Sequence, residues 1–113
     1  MKTVSFYIPN KKIKDVNLST VHLCNPGIGG TEYTMFALCH YLSLFNDINL
    51  TVYTNCSLKG YNLRGNIVYV DNLQDALLDS KEKNIDIFVG QNQGGEVTLK
   101  MFFVVIVVSR SEN

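Results

Sequence analysis

The chain has no tryptophan, only two prolines, three cysteines, no excess of charge of either sign and no apolar run long enough to cross a bilayer. Each shortage excludes something. Ten basic residues stand against ten acidic ones, so the overall charge offers no electrostatic grip on DNA, RNA or an anionic membrane. The one basic cluster, Lys11, Lys12 and Lys14, reads either as a solvated loop or as a contact for an anionic partner. Cys24, Cys39 and Cys56 are odd in number and widely spaced, without the CxxC or Cys/His spacing of a zinc site. They are read as reduced, and the chain as cytoplasmic, with no metal or redox cofactor. The opening apolar stretch ends at Pro9-Asn10, too short for a secretory signal, and Met101 to Val108 is far below the roughly 20 residues of a membrane span.

What is present belongs to a globular protein: 46% hydrophobic and 18% charged residues in 113, the size of one ordinary domain. Thr3 to Ile8 is rich in β-branched and aromatic residues and stops at a turn, the profile of a short buried strand. A polar stretch leads through Val21-His22-Leu23-Cys24 into Asn25-Pro26-Gly27-Ile28-Gly29-Gly30. Connections of this length inside a compact domain are often functional. From Thr31 to about Phe45 the sequence reads as helix, with Glu32 in the first turn where the helix dipole favours a carboxylate. Its apolar positions cover more than one stripe, which predicts a mostly buried helix.

Ile48 to Tyr53 and Asn66 to Val70 read as the second and third strands. Asp71 or Asn72 can cap a helix through about Lys83 whose inward face is Leu73, Ala76, Leu77 and Leu78. Ile85 to Val89 is a fourth strand running into Gly90-Gln91-Asn92-Gln93-Gly94-Gly95. A short helix from Glu96 to Lys100 and a fifth strand from Phe102 to Val108 complete the series. Strands alternating with helices imply an α/β fold with a parallel sheet of about five strands.

In an open parallel sheet, ligands bind beyond the carboxyl ends of the strands, and both glycine-rich segments fall there. Gly27 to Gly30 reads either as a turn that simply reverses the chain or as a site where Gly29-Gly30 before Thr31 lets backbone N–H groups approach an anion at the helix N-terminus. The dinucleotide fingerprint G-x-G-x-x-G fails, because counting from Gly27 places Glu32 at the third glycine. No acidic residue ends the second strand, where Thr54-Asn55 sits, which also disfavours NAD.

The longer string Gly29-Gly30-Thr31-Glu32-Tyr33, then an apolar helix and Ile48-Asn49-Leu50-Thr51-Val52-Tyr53-Thr54, resembles the opening of GT-B type glycosyltransferases, notably glycosyltransferase family 4. The resemblance covers about residues 3 to 95 and is distinctive over 25 to 54. It implies the N-terminal, acceptor-side Rossmann-like half of a two-domain enzyme that transfers a sugar, with retention, from a nucleotide-sugar donor to a glycan or small-molecule acceptor. It implies that Gly29, Gly30 and Thr31 approach the donor phosphates, that Glu32 matches the family's acidic position, and that Gln91, Asn92 and Gln93 bond sugar hydroxyls, which amides can do in both directions. It also implies a second, donor-binding domain, which would have to come from elsewhere, such as a partner chain, so that these 113 residues alone are expected to be inactive.

The family's acceptor-side histidine has no counterpart. His40 lies within the helix and reads as a packed or surface residue, His22 precedes the glycine loop and is placed where it could reach the cleft, and no catalytic base is assigned. The alternative is a non-catalytic α/β module, flavodoxin-like in outline, holding a nucleotide or phosphate at Gly29-Gly30-Thr31.

Overall fold

Because successive side chains of a strand point to opposite faces, Thr3 to Ile8 has one fully apolar face, Val4, Phe6 and Ile8, and one mixed face, Thr3, Ser5 and Tyr7. The computed structural model, which describes residues 1–9, 15–91 and 103–107, builds a layer on each. Its elements are β1 (Lys2–Tyr7), α1 (Gly30–Leu42), β2 (Ile48–Thr54), β3 (Asn66–Tyr69), α2 (Leu73–Glu82), β4 (Ile87–Gln91) and β5 (Phe103–Val107). The sheet order is β3-β2-β1-β4-β5. Strands β1 to β4 are all parallel, with Phe6 opposite both Val52 and Val89.

Val4, Phe6, Ile8, Leu50 and Val52 pack with Met35, Phe36 and Cys39 of α1. On the other face Tyr7, Tyr53, Ile85 and Phe88 pack with Ala76 of α2. The fold is therefore an α/β sheet flanked by helices, compatible with a Rossmann-like arrangement.

Among the described residues the parallel part of the sheet has four strands, where about five were expected, because β5 joins β4 antiparallel with Phe103 opposite Gln91. Length is consistent with the difference: β4 ends at Gln91 and β5 begins at Phe103, and the connection between them is shorter than the dozen or more residues that a parallel crossover ordinarily takes. The expected helix from Glu96 to Lys100 lies outside the described residues.

The inward face of α2 also differs from the expectation. Asn72 caps the helix, its side chain accepting from the Asp75 N–H at 2.9 Å, and this phase turns Ala76 and Ser80 to the sheet while Leu73 and Leu78 stay exposed. Small residues suit that face because the strands present bulky Tyr7, Tyr53 and Phe88. Similarly, α1 is not buried all round: Met35, Phe36, Cys39 and His40 face inward, but Leu38 and Tyr41 are exposed. It stops at Leu42, short of Phe45. Ser43 explains the stop, since its hydroxyl donates to the His40 carbonyl at 2.7 Å and accepts from the Arg64 N–H at 3.2 Å, tying the helix end to the next loop.

No helix is described between β2 and β3. The 55–65 loop lies instead on the α1 side, where the Tyr61 hydroxyl donates to the Phe36 carbonyl at 2.6 Å and the Leu18 N–H donates to the Lys59 carbonyl at 2.8 Å.

On the opposite layer, the fully buried Tyr53 donates its hydroxyl to Asp79 at 2.5 Å, and Lys83 Nζ lies 2.9 Å from the same carboxylate. The Tyr53 hydrogen bond, then Lys83, hold the Asp79 carboxyl below its ordinary value, while burial, then Asp79, raise the Tyr53 hydroxyl. A lowered carboxyl contributes stability that is complete above its unfolded value and is lost as pH falls through its folded one. Tyr53→Phe is therefore expected to cost about 1 kcal/mol at neutral pH, discounted because Asp79 is partly exposed. That difference should shrink as urea titrations move below about pH 4; a pH-independent difference would mean that the hydrogen bond does not couple to Asp79.

Candidate functional site at the N-terminus of α1

The glycine loop is held by a side chain that precedes it. Asn25 Oδ1 accepts from the N–H groups of Gly27 and Ile28 at 2.9 and 2.8 Å, and Asn25 Nδ2 donates to the Ile28 carbonyl at 2.9 Å. This turn carries Gly27 at φ +110, a backbone state that L side chains rarely adopt. Ile28 is packed against the core and anchors the loop.

Gly29 is the N-cap of α1, with no side-chain cap, and its carbonyl accepts the first helical bond from the Tyr33 N–H at 2.9 Å. The N–H groups of Gly30, Thr31 and Glu32 are then the first-turn donors that a helix cannot satisfy internally. Gly29 and Gly30 are exposed. The Glu32 carboxylate folds back over Gly29, so that a methyl group there would collide with its Oε1. Glu32 is the third residue of the helix, the position from which a glutamate reaches back toward the N-cap. A carboxylate of the chain itself thus stands at the positive end of the helix dipole, and an incoming anion would share the site with it.

Direction along the sheet locates this terminus. The C-terminus of α1 leads within five residues to Ile48, whose partner Lys2 begins β1. The helix is about 19 Å long at 1.5 Å per residue, so its N-terminus lies toward the carboxyl ends of the strands. There β1 and β4 run side by side, Tyr7 opposite Gly90. From β1 the chain steps outward to β2 and β3, and then α2 carries it back to β4 on the other side, so the order reverses between β1 and β4. That is the topological switch point at which open α/β sheets bind ligands.

Of the residues singled out in the sequence, Gly29, Gly30 and Glu32 are together in the structure, with Thr31 in the same first turn. Gln91 is the last residue of β4, at the same end of the sheet. Asn92 and Gln93 lie outside the described residues.

The two histidines are at the opposite end. His40 is in the last turn of α1, ten residues and about 15 Å along the axis from Gly30, and His22 stacks on it with ring centroids 4.3 Å apart. Nδ1 of His40 is 2.8 Å from the Asn62 carbonyl, which can only accept, so it carries the proton. The Tyr41 hydroxyl donates to the His22 carbonyl at 2.7 Å. These rings join α1 to the segments on either side of it, and His22 does not reach the cleft.

Sequence reasoning missed two features. The Asn25 turn had a readable signal, an asparagine two residues before a glycine. The histidine stack had none, because it depends on where residues 18 apart meet.

Cys24, Cys39 and Cys56 form no disulfide, and burial raises the Cys39 thiol well above its ordinary value. Among the described residues no group of three or more His, Cys, Asp or Glu could hold a metal ion, and no helix is long and apolar enough to cross a membrane. In comparisons with known proteins, no family model, no curated protein and no solved structure matches this chain.

Proposed function

We propose that this chain is the N-terminal, acceptor-side half of a GT-B type glycosyltransferase and receives the diphosphate of a nucleotide-sugar donor at the N-terminus of α1. The observation that carries the reading is Gly30. It is the first residue of α1 and exposed, and a Cβ added there would meet nothing within 4 Å. Packing does not require glycine at this position, and helix propensity favours alanine by up to about 1 kcal/mol. Glycine here leaves the first-turn backbone N–H groups uncovered, which suits close approach of a phosphate.

In this reading the N–H groups of Gly30, Thr31 and Glu32 donate to phosphate oxygens, and Gln91, Asn92 and Gln93 meet acceptor hydroxyls. The charged groups that select the donor and stabilise the developing positive charge belong to a second domain, so donor binding by this chain alone is weak and sugar transfer is absent.

A second reading has its own support. Both histidines lie at the far end of α1, which favours a non-catalytic nucleotide- or phosphate-binding module using the same helix terminus.

Amide NMR titration of the full chain with UDP, GDP, NAD and inorganic phosphate tests both. The glycosyltransferase reading expects the Gly29 and Gly30 resonances to move with UDP or GDP and not with NAD. An equal response to inorganic phosphate supports the module, and stationary resonances with all four end both readings. Glu32→Gln removes the competing carboxylate and is expected to tighten phosphate binding about 2- to 5-fold, the scale of a single charge at a helix terminus.

A further inference from the structure

Between Glu32 and Asp47 the sequence carries no Lys, Arg, Asp or Glu over 14 consecutive residues, although this segment includes most of a helix with one face in solvent. A surface helix ordinarily places its charges on that face. Here Leu38 and Tyr41 occupy it, Leu44 and Phe45 follow in the turn, and Leu23 is beside them because Tyr41 bonds to the carbonyl of His22. The five side chains are 44–71% exposed. We infer that this face is the interface of a symmetric dimer, its occupant a second copy of the same chain.

Area supports the assignment. At about 200 Å² for each large side chain, the exposed fraction of the five amounts to roughly 500 Å². A stable interface buries about 800 Å² on each partner, about 65% of it apolar in homodimers, which again is about 500 Å². Charge supports it as well. A two-fold axis sets the same patch against itself, and residues 33–46, which carry no charge, bring no like charges together.

The alternatives fit less well. A membrane surface would call for Lys or Arg beside the apolar residues, and residues 33–46 have neither. A second glycosyltransferase domain would face the carboxyl ends of the strands, whereas this patch is at the C-terminal half of α1, toward the other end. The dimer leaves the glycine loop open and does not depend on what that loop binds.

Sedimentation velocity of the full chain from about 1 to 100 µM should give a species of twice the 12.7 kDa chain mass. Leu38→Glu or Phe45→Glu should raise the dissociation constant at least tenfold, as for residues central to an interface, with unchanged far-UV circular dichroism. A wild-type chain that is monomeric over the whole range overturns the inference, as does a dimer that neither variant weakens, because the contact is then elsewhere. Hydrogen exchange of the wild type provides a check without substitution: amides 38–45 should be protected more strongly at high concentration, and concentration-independent exchange there counts against the dimer.

Discussion

Phe36→Ala is expected to lower the free energy of unfolding by about 3–5 kcal/mol, a large part of the roughly 5–15 kcal/mol that holds a domain together. Phe36 is fully buried on the inward face of α1, within the cluster formed by Val4, Phe6, Ile8, Leu50 and Val52. Its ring also meets Tyr61 edge to face, centroids 5.1 Å apart, and its carbonyl accepts from the Tyr61 hydroxyl. Truncation therefore opens a cavity under α1 and removes the surface against which the 55–65 loop is seated. Because that loop takes the place of a helix between β2 and β3, the sheet edge at β3 should loosen with it. Urea unfolding of the monomer measures the effect, with Leu38→Ala, two residues further along and so on the opposite, exposed face, as the contrast at under about 0.5 kcal/mol. Equal losses at the two positions would mean that α1 is packed in a different rotation.

The two positions also mark what the amino-acid pattern could reveal. The alternation of Val4, Phe6 and Ile8 with Ser5 and Tyr7, the Asn72 cap and the runs that became β2 to β4 are local signals, and they specified elements that the structure contains. The apolar breadth of α1 was equally legible, but breadth shows that an apolar surface exists and not which molecule covers it, so a helix expected to be mostly buried has an exposed side. The direction of β5 was misread because Phe103 to Val107 has no feature that distinguishes parallel from antiparallel pairing; the length of the chain before it was the better guide. At the candidate site, Gly29 to Glu32 could be identified from residue types alone. The histidines could not be located, since their distance from the glycine loop follows from the direction of α1 relative to the sheet.

Gly65→Val is expected to be the more damaging of two glycine substitutions that look alike in sequence, and the contrast bears on function. A Cβ at Gly65 would be 2.8 Å from the carbonyl oxygen of Leu50 and 3.6 Å from the Leu50 Cβ. Leu50 is in the middle of β2, paired with Val4 of β1, so the oxygen cannot move without disturbing the central strands. Gly65 is also the last residue before β3, whose Asn66 pairs with Thr51. A side chain here must push β3 away from β2, with a cost of about 1–3 kcal/mol for the first carbon and more for a branched group. At roughly 4–8 °C per kcal/mol for a domain of this size, a thermal melt should register a loss of about 5–20 °C.

Gly30→Ala meets no such obstacle and should leave the melting temperature unchanged or slightly raised. If it does so while weakening phosphate binding in the amide titration, glycine at position 30 serves the ligand rather than the fold. If Gly30→Ala lowers the melting temperature as Gly65→Val does, the glycine at 30 has a structural role and the principal support for a phosphate site is lost.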